Sequence, residues 1–465
     1  MKWKRFLSLI MVLIMALSLT ALTGCSEKDD SGGDEEERVI YLRGYARAIE
    51  GEEENWQKVI DAFEEENPGI TVDAQWTGSA SESVQALSTA KMSGETIDLF
   101  LTGPANINAT LANNGYLMDL TELMEPYMDR FEESMFSGLY IGDRLWGIPF
   151  GDMSFSMVIY NKTLFEEAGV AVPETMEDMI TASEQLKAYD SQIIPMLHMG
   201  KMPMFWPMWF METYAQVTGN NSVDYIYDFL NGDREFTGEE EIEAFELVKQ
   251  FYDLGILSSE SFDTDSESLV AAFSQGKTAM CFSMGFAYTS IMNAVGDSME
   301  VGVFGFPQAV SDAQPQHGGG TNDALVIPSF CNQDNLDITM KFVEYITRSE
   351  NASAILAARD LMAPTIKGVE ASDIPIRETL DESILPNTIQ FLDWIWPADV
   401  NEAFKTTIPA CLSGQMTCEQ AAQSVQDALE TVRMEQNYDA RWWESWTDDQ
   451  WDSVTPKEIP QAYGQ

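Results

Sequence analysis

Apolar residues recur along this chain at two periods, and their alternation predicts an α/β succession. Val39 to Leu42 is a short β-rich run that predicts a first strand. Trp56, Val59, Ile60 and Phe63 then recur at helical spacing with charged residues between them, until Asn67-Pro68-Gly69 breaks the pattern. Ile70 to Trp76 predicts a second strand, Ser83 to Met92 a second amphipathic helix, and Ile97 to Leu101 a third strand that ends in Thr102-Gly103-Pro104. This order implies a mostly parallel sheet with helices on its faces. Ligands of such sheets sit beyond the carboxyl ends of the strands.

The pattern restarts after Trp146-Gly147-Ile148-Pro149-Phe150, with a strand over Ser156 to Tyr160 and a short helix over Thr163 to Ala168. Thr175 and Asp178 are spaced for a capping box, and Met176, Met179, Ile180 and Leu186 form one face of the helix that follows. Ile242 to Leu254 reads as a helix with Phe245, Val248 and Phe251 or Tyr252 inward, and Thr278 to Ser283 as a strand. Thr417 and Gln420 form a second capping box, ahead of a stripe of Ala422, Val425, Leu429 and Val432.

The amino terminus changes the picture. Lys2, Lys4 and Arg5 precede an apolar run from Phe6 to about Leu19, shorter than the roughly 20 residues of a membrane span. Leu22-Thr23-Gly24-Cys25 resembles a bacterial lipobox. Residues 1–24 are therefore expected to be a lipoprotein signal peptide and Cys25 the lipidated first mature residue, anchoring the protein to the extracytoplasmic face of the cell membrane. Residues 25–37 mix acidic residues with Ser31, Gly32 and Gly33 and read as a flexible tether. The remainder is too long for one ordinary core and implies two lobes. A formal net charge of −50 would repel nucleic acid, which is excluded as a partner. Cys411 and Cys418 are close enough in sequence for a short-loop bridge, but proximity does not establish the geometry.

Five segments in this order resemble the extracellular solute-binding proteins of sugar importers, the maltose-binding-like group. They are Trp56 to Val72 (WQKVIDAFEEENPGITV), Ile97 to Phe100 with Gly115 to Leu120, and Trp146 to Met179 (WGIPF…IYNKTLFEEAGVAVPETMEDM). Ala271 to Met280 (AAFSQGKTAM), with Gly305-Phe306-Pro307 and Gly318 to Gly320, is the fourth, and Pro386 to Val425 (PNTIQFLDWIW…LSGQMTCEQAAQSV) the fifth. The resemblance implies a two-lobed periplasmic-binding-protein fold of the α/β class, with hinge-crossing strands and a ligand cleft between the lobes. It implies crossings near Asp152, Asp263 and Gly318, with 38–152 plus 264–317 as lobe 1 and 153–263 plus 318–465 as lobe 2. Gly318 to Gly320 can serve as a hinge or as a plain loop. The implied function is lipid-anchored capture of a carbohydrate for an ABC importer, whose permease subunits would be its partners. The receptor is expected to act as a monomer, without cofactor or metal.

A sugar receptor needs aromatic plates and a rim of carboxylates, amides or Arg. Trp206 and Trp209, and Asp393, Trp394 and Trp396, stand in two aromatic-rich segments without clean periodicity, although aromatics also fill cores. The family pattern makes Trp394 or Trp396 the plate from the second lobe, and Phe286 another where relatives carry Trp. Arg43 and Tyr45 follow the first strand. Thr102 and Asn106 follow the third, where the maltose pattern has a Trp and charged residues, a departure that weakens a maltodextrin assignment. Asp152 and Ser154 sit at the first crossover, where hinge hydrogen bonding is the other reading.

A non-sugar solute, or a surface glycan-active enzyme, would suit the same leader. However, Gly-x-Ser-x-Gly, Walker-type and His-Glu-x-x-His motifs are absent, and His198 and His317 are the only histidines. The last aromatics, Trp442, Trp443, Trp446 and Trp451, are expected to pack the C-terminal tail onto the second lobe.

Overall fold

A computed structural model describes residues 37–464 except 46–48, 78–79, 108–110, 137, 220–223, 315 and 437–440. The signal peptide, Cys25 and nearly all of the tether lie outside the described residues. Arg38 to Gln465 form one compact unit. Among the described residues, no helix is long and apolar enough to cross a membrane.

The early elements follow the predicted order: β1 (Arg38–Tyr45), α1 (Glu52–Glu66), β2 (Ile70–Thr77), α2 (Ala80–Ser93) and β3 (Leu99–Thr102). β1 pairs in parallel with both β2 and β3. Trp56, Val59, Ile60 and Phe63 are the buried stripe of α1, as their spacing requires. Beyond a two-residue hairpin that pairs Tyr140–Ile141 with Arg144–Leu145, β4 (Ile148–Asn161) is far longer than the five residues expected. After it come α3 (Met176–Tyr189), β5 (Ile194–Leu197), α4 (Pro207–Thr218), α5 (Asp224–Asn231) and α6 (Glu239–Asp253). Then follow β6 (Thr278–Met284), α7 (Gly285–Val295), β7 (Val301–Phe304) and β8 (His317–Val326). Next come α8 (Leu336–Ile346), α9 (Ser349–Leu356), β9 (Thr388–Gln390), α10 (Ala398–Leu412) and α11 (Cys418–Gln436), followed by two short helices, Trp442–Ser445 and Asp448–Val454. Both capping boxes form. Thr175 and Asp178 close one at α3, and Thr417 and Gln420 exchange hydrogen bonds of 2.9 and 3.2 Å before α11.

β4 and β8 are the crossing strands. The first half of β4, Ile148 to Phe155, pairs with nearly the whole of β8, Gly319 to Leu325, and the end of β8 also pairs with β3. The second half of β4 pairs instead with β6 and β7, and β6 with β5. The sheet thus runs β2-β1-β3-β8-β4-β6-β5.

This pairing redraws the expected division. Residues 264–317 carry β6 and β7, which are bonded to the second half of β4, so they belong with the second lobe rather than with 38–152. The chain therefore does not cross at Asp263. Conversely, α8 lies on α1 in the first lobe, with Phe63 5.2 Å or less from the rings of Phe342 and Tyr345. α10 belongs with α4 and α6, where Phe210 sits 4.8 Å from Phe404 and 4.7 Å from Phe245.

The tail also departs from expectation. Trp442, Trp446 and Trp451 gather around Trp146, which precedes β4, at 5.6 to 6.3 Å between rings. Trp443 instead reaches a second-lobe helix, with its ring 4.8 Å from Tyr227 of α5. A buried Trp146 needs apolar cover, and the C-terminal segment provides it.

Candidate functional site

The crossing strands meet because Gly318 to Gly320 carry no side chains. A Cβ on Gly319 would stand 2.6 Å from the Ser154 carbonyl oxygen, and one on Gly318 would stand 2.6 Å from the Phe391 ring. Close approach, more than flexibility, explains the glycines here.

At this crossing lies a cavity of about 340 Å³ lined by Asp152, Ser154, Phe286, Asn322 and Asp360, with Thr289 and four apolar side chains behind them. β4 contributes Asp152 and Ser154, the N-terminal turn of α7 contributes Phe286, and β8 contributes Asn322. Phe286 is 45% exposed, unusual for a Phe, with its ring 5.8 Å from Phe205. The Ser154 hydroxyl donates to Asn322 Oδ1 at 2.7 Å. Asp152 accepts from the Ala363 amide at 2.8 Å, and burial pushes its carboxyl up to about 6 against the opposing pull of backbone amides. A larger hollow of about 700 Å³ lies at the far end of β4, around Lys162 and Glu300. Those two side chains form an exposed ion pair there, at 2.8 Å.

An ion triad backs the cavity. Arg359 donates to Glu52 Oε2 at 3.2 Å and to Asp323 Oδ2 at 2.6 Å, and all three side chains are 5% exposed or less. Tyr45 donates its hydroxyl to Asp323 Oδ1 at 3.1 Å. Asn322 and Asp360 are chain neighbours of Asp323 and Arg359, so the triad fixes the backbone that presents two cavity residues.

The twelve residues singled out from sequence divide sharply. Asp152, Ser154 and Phe286 line the cavity. Tyr45 adjoins it through Asp323, and Gly103 packs nearby, 3.6 Å from the Asn322 carbonyl oxygen by its would-be Cβ. Thr102 is buried and accepts from Asn106 Nδ2 at 3.1 Å, at the carboxyl end of β3. Arg43 is engaged with Asp73 at 3.1 Å on the neighbouring strand. Trp206 and Trp209 are corrected to core. Trp206 is 1% exposed and bonded to the Gly200 carbonyl, and Trp209 is enclosed by Phe251, Phe282 and Phe306. Trp396 is likewise core, against Phe229, Phe236 and Phe404. Trp394 is half-buried on Phe391, 5.1 Å away, and does not line the cavity. Asp393 keeps a buried oxygen without a protein partner among the described residues, and burial raises its carboxyl to about 7. Asn322, Thr289, Asp360 and Arg359 escaped sequence reading, because nothing local marks them.

Glu212 ties the crossing together. Its buried carboxyl accepts from the Ser156 hydroxyl on β4 and from the Gly318 amide on β8, at 2.9 Å for the latter. Burial raises it from the ordinary carboxylate range near 4.5 to about 8, so it is protonated in the folded protein at neutral pH. The unfolded chain releases that proton near 4.5, so Glu212 costs stability progressively as pH rises from there to about 8. Glu212→Gln keeps the accepting oxygen and is expected to melt increasingly above the native protein between those limits. A constant offset across a pH series of melting curves would refute this.

Among the described residues, no three His, Cys, Asp or Glu side chains are grouped to hold a metal ion. Two long strands of one sheet that cross beside an open cavity suit the capture of a solute. Residues 58–379 match the family of bacterial extracellular solute-binding proteins, and the chain belongs to that family. A multiple sugar-binding protein of Streptococcus mutans is 25% identical over 189 residues, covering 40% of this chain and 42% of its relative. The melibiose/raffinose/stachyose-binding protein MelE of Bacillus subtilis is 21% identical over 403 residues, covering 81% of this chain and 88% of MelE. Among solved structures, a family 1 extracellular solute-binding protein from Bifidobacterium longum subsp. infantis superposes with a TM-score of 0.73 at 17% identity, over 85% of this chain and all of that one. A Bacillus licheniformis sugar transporter protein in complex with stachyose gives 0.58 at 17% identity, over 84% and 98%. Membership places the protein outside the cytoplasm, and its relatives are binding proteins rather than enzymes.

Proposed function

We propose that this chain is the capture subunit of an ABC importer and that its solute is a carbohydrate, with an oligosaccharide favoured. The observation that carries the proposal is the cavity at the strand crossing, where one exposed aromatic ring faces a rim of carboxylate, amide and hydroxyl groups. Phe286 offers a face for a pyranose ring, while Asp152, Asp360, Asn322 and Ser154 can accept or donate to its hydroxyls. The sugars in the names of the relatives support the same class. At about 340 Å³ the cavity is at the small end of ligand pockets, and a longer sugar would extend along the cleft.

Capture would work without covalent chemistry. Asp152 and Ser154 lie on one crossing strand, Asn322 on the other, and Phe286 on a second-lobe helix, so a solute touching all of them favours the arrangement that brings them together. The permease would then read that arrangement. Lipidation at Cys25, with residues 25–37 as tether, would hold the monomer at the membrane. A thermal-shift screen of residues 38–465 against mono- and oligosaccharides tests the reading. A sugar at 100 times its dissociation constant is expected to add about 2.7 kcal/mol of stability. A response to amino acids or polyamines, with none to sugars, would transfer the site to another solute class.

A further inference from the structure

We propose that Cys411 and Cys418 are joined by a disulfide in the exported protein, stapling the α10–α11 hairpin. Cys411 stands in the last turn of α10, and Cys418 is the first residue of α11. Their sulfurs lie 3.2 Å apart, closer than unbonded sulfurs ordinarily rest, and both residues are buried, at 1% and 6% exposure. Bonding requires an approach of about 1 Å further. Gly414, at φ 74° with open space around its would-be Cβ, turns the chain between the two cysteines.

The surroundings hold the pair in register. The Thr417–Gln420 capping box fixes the entry to α11, and Ala422, Val425, Leu429 and Val432 bury its face. The Cys411 thiol is lowered by the hydrogen bond with Cys418 and, against the effect of burial, by the Lys249 ammonium. A lowered thiol is the better nucleophile for exchange. Cys281 lies on β6 and Cys331 beyond β8, in other parts of the fold.

The step balances by thiol–disulfide exchange with an extracytoplasmic disulfide donor. One thiolate attacks the donor and expels one donor thiol. The second thiolate then attacks the mixed disulfide and expels the other. Both protein thiols lose a hydrogen, and the two electrons reduce the donor. Because the bridge closes as the hairpin folds, burial does not block it. The inference rests on the extracytoplasmic location of the family and not on the sugar reading.

Exported protein, unfolded in an alkylating agent without reductant and digested with trypsin, decides the matter. The peptide after Lys405, ending at Arg433, carries both cysteines. The expected result is that this peptide is unalkylated and lighter by two hydrogen atoms than its reduced form, while Cys281 and Cys331 are alkylated. Reduction is also expected to lower the melting temperature by about 2–4 °C, and the Cys411→Ser, Cys418→Ser double variant to show no such change. Alkylation of all four cysteines in the exported protein would overturn the proposal.

Discussion

Replacing Arg359 with Ala is expected to lower unfolding stability by about 3–5 kcal/mol, because it breaks a buried ion triad. Glu52 and Asp323 are 0% and 1% exposed, and each loses the guanidinium that offsets its charge. A buried carboxylate without its counterion either bears a heavy desolvation cost or takes up a proton. Lys does not substitute well, because a single ammonium lacks the planar fork that reaches both partners. Urea unfolding of Arg359→Ala, Glu52→Gln and the double variant forms a thermodynamic cycle. The double variant should recover a substantial part of the loss, since it removes one orphaned charge along with its partner. A loss below about 1 kcal/mol for Arg359→Ala would mean that the triad is no structural keystone. Because Asp360 and Asn322 adjoin the triad, the same variant should also weaken solute binding.

Phe286→Ala is expected to reduce sugar affinity about 10-fold or more, equivalent to about 1.4 kcal/mol, with stability changed by less than about 0.5 kcal/mol. The contrast arises from exposure. A ring that is 45% exposed adds little to folding but lines the cavity. Trp209→Ala provides the opposite case, since Trp209 is fully buried and its loss acts on stability. Asp152 adds a pH signature. Its carboxyl is raised to about 6, so its power to accept two hydroxyl donors at once falls as pH drops through that value. Affinity should weaken correspondingly, and Asp152→Asn should flatten the profile. Unchanged affinity in both Phe286→Ala and Asp152→Asn would place the solute elsewhere.

These contrasts mark where the sequence was legible. Local signals were reliable: the Thr175–Asp178 and Thr417–Gln420 boxes, the buried stripes of α1, α6 and α11, and the parallel start of the sheet all follow from spacing within a few residues. The aromatic run at Phe205 to Phe210 misled for a physical reason. α4 is covered on every side, with Pro207 to Gln216 all buried, so its apolar residues show no period and resemble a segment kept for a ligand. The same holds at Trp396, which packs on Phe229 and Phe236, distant in sequence, as well as on Phe404 of the next helix.

The lobe boundaries failed differently. Whether residues 264–317 join one lobe or the other depends on which strand β6 and β7 pair with, and antiparallel pairing to the far half of β4 has no local mark. Asp152, Ser154 and Phe286, which line the cavity, were singled out where the family segments bracket them. Asn322, Asp360 and Arg359 were not, because their roles come from partners as far as 307 residues away in the chain.

The most direct test of the central claim is titration calorimetry of the native protein with the sugar that raises its melting temperature, followed by chromatography of the recovered sugar. The account predicts one site per chain and a sugar returned intact. Cleavage of the sugar, or the absence of binding by any carbohydrate alongside saturable binding of another solute, would contradict it.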